Sequence, residues 1–172
     1  MVKSISQCFV NLDGDKNVYR RSEYVKGRVT LNVEENIQIK AVRVYLYGEA
    51  LTKWDIFLDR SNRENIGREK YVGHYVTFHN YQQYAFFYIF FSAGTNNPPV
   101  TLVKGKQTYR FTFKLPDRVL PSSFEGEYGA VRYWLKVLVD RPMFNLNRSW
   151  YRAFTVLHNI DINTTALKVL RT

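Results

Sequence analysis

Hydrophobic and polar positions alternate along the chain in short blocks with a period of two. Tyr109, Phe111, Phe113 and Leu115 are separated by Arg110, Thr112 and Lys114, which puts the apolar groups on one face of a strand. Val131, Tyr133, Leu135, Val137 and Val139 repeat the pattern, with Arg132, Lys136 and Asp140 on the other face. Between the two blocks Pro116 and Pro121 interrupt any ladder, because proline has no N–H to donate. Ser122, Ser123, Gly126 and Gly129 mark a turn. The unit over 109–142 is therefore strand, proline-punctuated corner, strand, ended by Asp140-Arg141-Pro142.

The same reading covers the remaining chain. Ile5 to Leu12 is a first strand, and Asp13-Gly14-Asp15 predicts a hairpin turn after it. In the next strand Val25, Val29, Leu31 and Val33 face in while Lys26, Arg28, Thr30 and Asn32 face out. Glu34-Glu35-Asn36 turns the chain. Ile39 to Tyr47 carries apolar groups on both faces, as a central strand does, and continues past Gly48 through Ala50, Thr52 and Trp54. Asp59 to Lys70 is polar and charged and reads as an exposed loop. Tyr71 to Tyr81 is a strand with Val72, His74, Val76 and Phe78 on one face, and Tyr84 to Phe91 a doubly covered core strand. A connection over 92–106 holds a short strand at Val100 to Val103, and Trp150 to Asp161 is the last strand. Eight or nine strands without helical periodicity define an all-β sandwich.

Composition adds charge and compartment to this picture. The 172 residues fit one domain, and 45% apolar with 23% charged residues can bury a core. Lys and Arg number 25 against 15 Asp and Glu, a net charge of +10, which suits an acidic partner such as a phosphorylated peptide, anionic lipid or nucleic acid. Solvated, scattered lysines and arginines are the simpler account of the charge taken alone. Cys8 is the single cysteine, so no internal disulfide forms, as in a reducing compartment. The N-terminus lacks an apolar signal region, the aromatic run is far shorter than a membrane span, and the expected location is the cytoplasm.

Reactive constellations are sparse. His74, His79 and His158 have no metal-ligand spacing, and His74 reads as a packed, hydrogen-bonded histidine. The Asp13, Asp15, Asn17 start of a calcium loop fails at Val18 and Tyr24, where glycine and the bidentate glutamate belong. No nucleophile elbow or phosphate loop occurs, and Glu125 and Glu127 lie in a turn as solvated carboxylates. The expectation is a protein without catalytic activity, metal or cofactor.

The stretch VKGRV at 25–29, Ile39 to Val44 followed by Gly48 and Trp54, FTFKLP at 111–116, PSSFEGEYGAVRYWLKV at 121–137, DRP at 140–142, and Phe154 to Asn163 together resemble the arrestin N-terminal domain, in its α-arrestin branch. The resemblance implies an immunoglobulin-like sandwich over 1–163, with 164–172 beginning a linker toward a second lobe. Its structural motif falls on Gly27, Pro116, Pro121, Phe124, Gly126, Gly129 and Tyr133.

In function it implies a non-catalytic adaptor, recruited to plasma membrane or endosomes, that binds the cytoplasmic tails of receptors or transporters. Ubiquitin ligases of the HECT class are then recruited through PPxY motifs of a C-terminal tail, for endocytic sorting and protein transport. Pro98-Pro99-Val100-Thr101 is not such a motif. Visual and β-arrestins carry a basic pair where Val10 and Asn11 follow Phe9, and a buried acid at or near Lys26, so their phosphate switch is not expected. Lys3, Lys16, Arg20 and Arg21 still put positive charge beside the first strand, which can pair with an acidic or phosphorylated tail. An exposed edge strand can also accept an added one. A thioredoxin-binding role, found in one member of the branch, has Cys8 as its only candidate thiol. The alternative class is a basic β-domain docking on anionic membrane or nucleic acid, although no nucleic-acid motif interleaves aromatic and basic residues.

Overall fold

The computed structural model describes residues 4–58, 61–78, 99–142 and 147–158, without side chains for 54–65. In chain order the strands are β1 (Ile5–Leu12), β2 (Val18–Tyr19), β3 (Tyr24–Val33), β4 (Ile37–Ile39), β5 (Ala41–Leu58) and β6 (Ser61–Phe78). They continue with β7 (Val100–Leu102), β8 (Gly105–Lys114), β9 (Phe124–Glu125), β10 (Gly129–Asp140) and β11 (Arg148–Val156). Three sheets form: β1-β3-β8, β2-β11-β10-β5-β6 with β9 added on β10, and the small pair β4-β7. The all-β sandwich expected from the alternation is the observed fold.

The inward rows build one core. Val25, Val29 and Leu31 of β3 with Phe111 and Phe113 of β8 meet Val42, Val44 and Leu46 of β5 and Leu135, Val137 and Val139 of β10. Removing each such side chain from water contributes about 1.5–3 kcal/mol. Two glycines mark where backbone and ring come closest. A Cβ on Gly27 would stand 2.4 Å from the Asn11 carbonyl oxygen and 2.8 Å from the Phe111 ring. A Cβ on Gly48 would stand 2.5 Å from the Tyr133 ring.

Tyr133 ties the proline corner to this core. It is buried on β10, and its hydroxyl donates to the Pro121 carbonyl at 2.8 Å. Burial pushes its phenol up to about 12, so it stays a donor across the physiological range. The corner is closed a second time on the end of β11. The Val156 and His158 amides donate to the Ser123 and Ser122 hydroxyls at 3.0 and 2.9 Å, and the Ser123 amide donates back to the Val156 carbonyl at 2.8 Å. The exposed Phe124 ring packs over Gly126.

Three expectations need correction. Asp59 to Lys70 is not a loop, because β6 begins at Ser61 and pairs with β5 from Leu58↔Ser61 to Val42↔Phe78. Beyond the irregularity at Gly48/Glu49 the described residues Ile66, Arg68, Glu69 and Lys70 are exposed. With no buried face to encode, such a stretch carries no alternation, and main-chain pairing alone makes it a strand. The Asp13-Gly14-Asp15 turn is a short 3-10 turn rather than a hairpin. The chain crosses there to the other sheet, where β2 runs parallel to β11, while β1 pairs with β3. His74 shares the inward side of β6 yet is exposed, because β6 is the last strand of its sheet among the described residues. The aromatic run at 84–91 lies outside the described residues.

Replacing Tyr133 by Phe removes one buried hydrogen bond and should lower stability in urea unfolding by about 1 kcal/mol. Gly48→Ala forces the ring of Tyr133 aside and should cost more, up to about 3 kcal/mol. The opposite order would mean that the ring, and not the hydroxyl, is dispensable.

Candidate functional site

The turn between β1 and β3 holds most of the residues expected to bind an acidic tail. Lys16 Nζ lies 2.8 Å from Glu23 Oε2 and 5.0 Å from the centre of the Tyr19 ring. The Arg20 amide donates to the same carboxylate at 2.9 Å. These two contacts, the Lys16 hydrogen bond first, hold the Glu23 carboxyl below its usual range. Asp13, Asp15 and Glu23 match Lys16, Arg20 and Arg21 in number, so the turn is locally neutral. Arg21 is exposed, and Lys3 lies outside the described residues.

The excess charge sits elsewhere, on the outer face of β1-β3-β8. None of the residues of these three strands is Asp or Glu. Lys26 and Arg28 of β3 and Lys106, Arg110 and Lys114 of β8 are all exposed. Their inward neighbours in sequence, such as Val25, Val29, Phe111 and Phe113, are buried, which fixes the five cations on the solvent side. Arg28 stands directly opposite Arg110. Tyr24, opposite Lys114, takes two ammonium groups over its ring, Lys26 at 5.3 Å and Lys114 at 5.9 Å. Phe9 and Tyr24 are 48% and 52% exposed, so the face has aromatic groups among its cations. Among the described residues none of the five cations has a carboxylate partner. This face was present in the sequence as the outward row of two strands. The missed clue was that neither strand contains a single acid.

β1 is the outer strand of the sheet, with β3 on one side and no strand on the other among the described residues. Its thiol, Cys8, is half-buried against the core, and burial pushes it up to about 12. Depressions of about 360 Å³ beside Lys70, His74, Pro116 and Arg118 and of about 250 Å³ beside Glu49, Arg132, Trp134 and Tyr151 are shallow and open. Among the described residues no group of three His, Cys, Asp or Glu is placed to hold a metal ion, and no helix is long and apolar enough to cross a membrane.

Residues 8–163 match the family model described as Arrestin (or S-antigen), N-terminal domain. The thioredoxin-interacting proteins of Rattus norvegicus and Homo sapiens are each 30% identical over 167 residues, covering 97% of this chain and 39% of the relative. Arrestin domain-containing protein 4 of Homo sapiens is 28% identical over 172 residues, covering 96% and 38%. The chain thus spans about two-fifths of the length of these relatives. Among solved structures, the sporulation control protein Spo0M of Bacillus subtilis shares the fold, with a TM-score of 0.55, 16% identity and 92% of this chain covered.

Two measurements test the electrostatics of this region. The folded pKa of Glu23 is depressed, so its contribution to stability is complete above the ordinary value of 4.5 and is lost as pH falls through the folded pKa. The stability difference between the protein and its Glu23→Gln variant should therefore be constant from pH 5 upward and shrink in acid, as read by thermal melts against pH. Cys8, moved from 9.0 to about 12, should hold roughly a thousandfold less thiolate at pH 8 than an ordinary cysteine. Iodoacetamide should label it correspondingly slowly in the folded chain, and at the normal rate in urea.

Proposed function

The chain belongs to the arrestin family, as an N-terminal domain of the α-arrestin branch, and from that premise we propose that it is a non-catalytic adaptor lobe. It binds the cytoplasmic tail of a receptor or transporter, and with the remainder of an α-arrestin it supports ubiquitin-dependent endocytic sorting and protein transport. Recruitment of a HECT-type ubiquitin ligase belongs to a tail segment outside these residues. The lobe works in the cytoplasm, at the plasma membrane or endosomes. The observation that carries the reading is the side of β1 that has no strand beside it among the described residues, in a sheet whose three strands contain no acid.

An extended tail added to β1 gains main-chain hydrogen bonds that need no particular sequence, which suits an adaptor with several cargoes. A modest preference for acidic or phosphorylated tails comes from individual cations near the two ends of the strand, although the turn after it has no net charge. Lys3 precedes it, and Lys16, Arg20 and Arg21 follow it within the turn. Of these, Arg21 is the exposed cation best able to take a phosphate, since Lys16 is engaged by Glu23. A thiol–disulfide link to a thioredoxin would have to run through Cys8, whose burial withholds the thiolate, so we assign it no such role.

The test is a synthetic acidic peptide containing phosphoserine. Its binding should slow amide hydrogen exchange across 5–12 while leaving β8 unchanged. An R20Q/R21Q variant should bind about two- to fivefold more weakly, the worth of one or two exposed ion pairs. Protection confined to β8, or none anywhere at saturating peptide, would remove β1 as the cargo edge.

A further inference from the structure

We propose that the outer face of β1-β3-β8 is a membrane-docking face, which lays Lys26, Arg28, Lys106, Arg110 and Lys114 on the anionic headgroups of a bilayer. This inference stands apart from the cargo reading: it concerns the solvent face of the sheet, and cargo its edge.

The first ground is charge that the fold does not use. Like charges directly opposite one another in adjacent strands repel, yet Arg28 and Arg110 are paired in register. The neighbouring outward positions offer Asn11, Thr112 and Thr108, none of which neutralises a guanidinium. The core beneath would be the same with glutamine at either position. A cross-strand repulsion with no packing return is the mark of a surface built for an external anion.

The second ground is shape. Lys106 to Lys114 spans roughly 27 Å at an antiparallel rise of about 3.4 Å per residue, and the cations are spread over that length in two adjacent rows. β3 is the central strand, its two sides taken by β1 and β8, so an extended peptide lying over the face finds no main-chain partner there. Neither of the two open depressions described above is lined by residues of this face. A sheet of point charges matches a sheet of headgroups, and each lysine or arginine near such a surface contributes independently. The third ground is Phe9 and Tyr24, exposed on the same face. A tyrosine ring settles at the headgroup level, and Tyr24 already carries two ammonium groups over its ring, while the Phe9 ring offers apolar contact at the headgroup boundary.

Co-sedimentation of the 172-residue chain with vesicles tests the proposal. Vesicles of phosphatidylcholine alone are compared with vesicles in which part is replaced by phosphatidylserine or by a phosphoinositide, at low and high salt. The chain should bind both anionic compositions, leave neutral vesicles free, and dissociate as salt rises. An R28Q/R110Q variant should lose about 30-fold in partitioning, at about fivefold per basic residue. R68Q/K70Q, which removes equal charge from β6 on the other sheet, should lose far less. Because R28Q/R110Q relieves a repulsion, its melting temperature should be unchanged or higher, which separates lost docking from lost fold.

Equal losses in the two variants would show attraction by net charge alone and overturn the face. So would vesicle binding indifferent to lipid charge, or tighter binding of single-stranded DNA or of the phosphoserine peptide through Arg28 and Arg110 with no vesicle binding. The peptide experiment on β1 succeeds or fails without reference to any of these outcomes, since neither variant changes a residue of β1 or its turn.

Discussion

The contact on which the rest of the structure depends is that of Tyr133 with two distant parts of the chain. Its ring fills the space that a side chain at position 48 would take, and its hydroxyl holds the carbonyl of Pro121. The first contact lets β5 and β10 lie side by side in the middle of the large sheet. The second fixes a corner with two prolines that cannot enter a ladder themselves. Once the corner is fixed, Ser122 and Ser123 reach the end of β11, and the rings of Tyr19 and Phe154 pack edge to face with their centres 5.5 Å apart. That contact secures β2, the piece of chain that joins β1 to the opposite sheet. A lone hydrogen bond contributes about 1 kcal/mol, but this one orients the segment through which both sheets are linked.

The electrostatics of the small sheet follow from having such a core beneath it. Cross-strand repulsion costs at most about 1 kcal/mol, whereas Val25, Val29 and Leu31 lie fully buried under the same strand and contribute about 1.5–3 kcal/mol each. The sheet can therefore hold Arg28 against Arg110 without loss of register. The turn after β1 behaves differently. Its cations are compensated locally, as in the pairing of Lys16 with Glu23.

This difference also explains what the amino-acid pattern disclosed. Strands with one buried face announce themselves, and β1, β3, β8, β10 and the inner half of β5 were all legible from alternation. The outer half of β6 was not, since Ile66 to Lys70 have no buried face and their composition is that of a loop. The partner of β1 was also hidden, because a turn motif after a strand says that the chain bends and not where it goes. The site was half visible. Counting cations along the chain drew attention to the dense cluster at 16–21, where nearby acids cancel it. The cations of β3, two residues apart, and of β8, four residues apart, are diluted in sequence and become adjacent only after pairing brings Arg28 to Arg110.

Face and edge belong to one sheet, and that proximity has an energetic consequence. A sheet held on a membrane by its outer face keeps β1 within a strand's width of the headgroups, where the cytoplasmic tail of a membrane protein leaves the bilayer. Two weak attachments to the same surface then act at an effective concentration set by the length of tail between them, and avidity rises by orders of magnitude without any stronger contact. Neither attachment needs to be tight. Main-chain pairing at β1 reads no sequence, and the basic face reads only charge. Selectivity therefore rests on coincidence, which requires an acidic tail and an anionic bilayer in the same place. A neutral turn at 13–23 fits this arrangement better than a strongly basic one. On the proposed reading, the neutral turn would hold free acidic peptides only weakly away from the membrane, and the acid-free face would supply the attraction that brings β1 to its target.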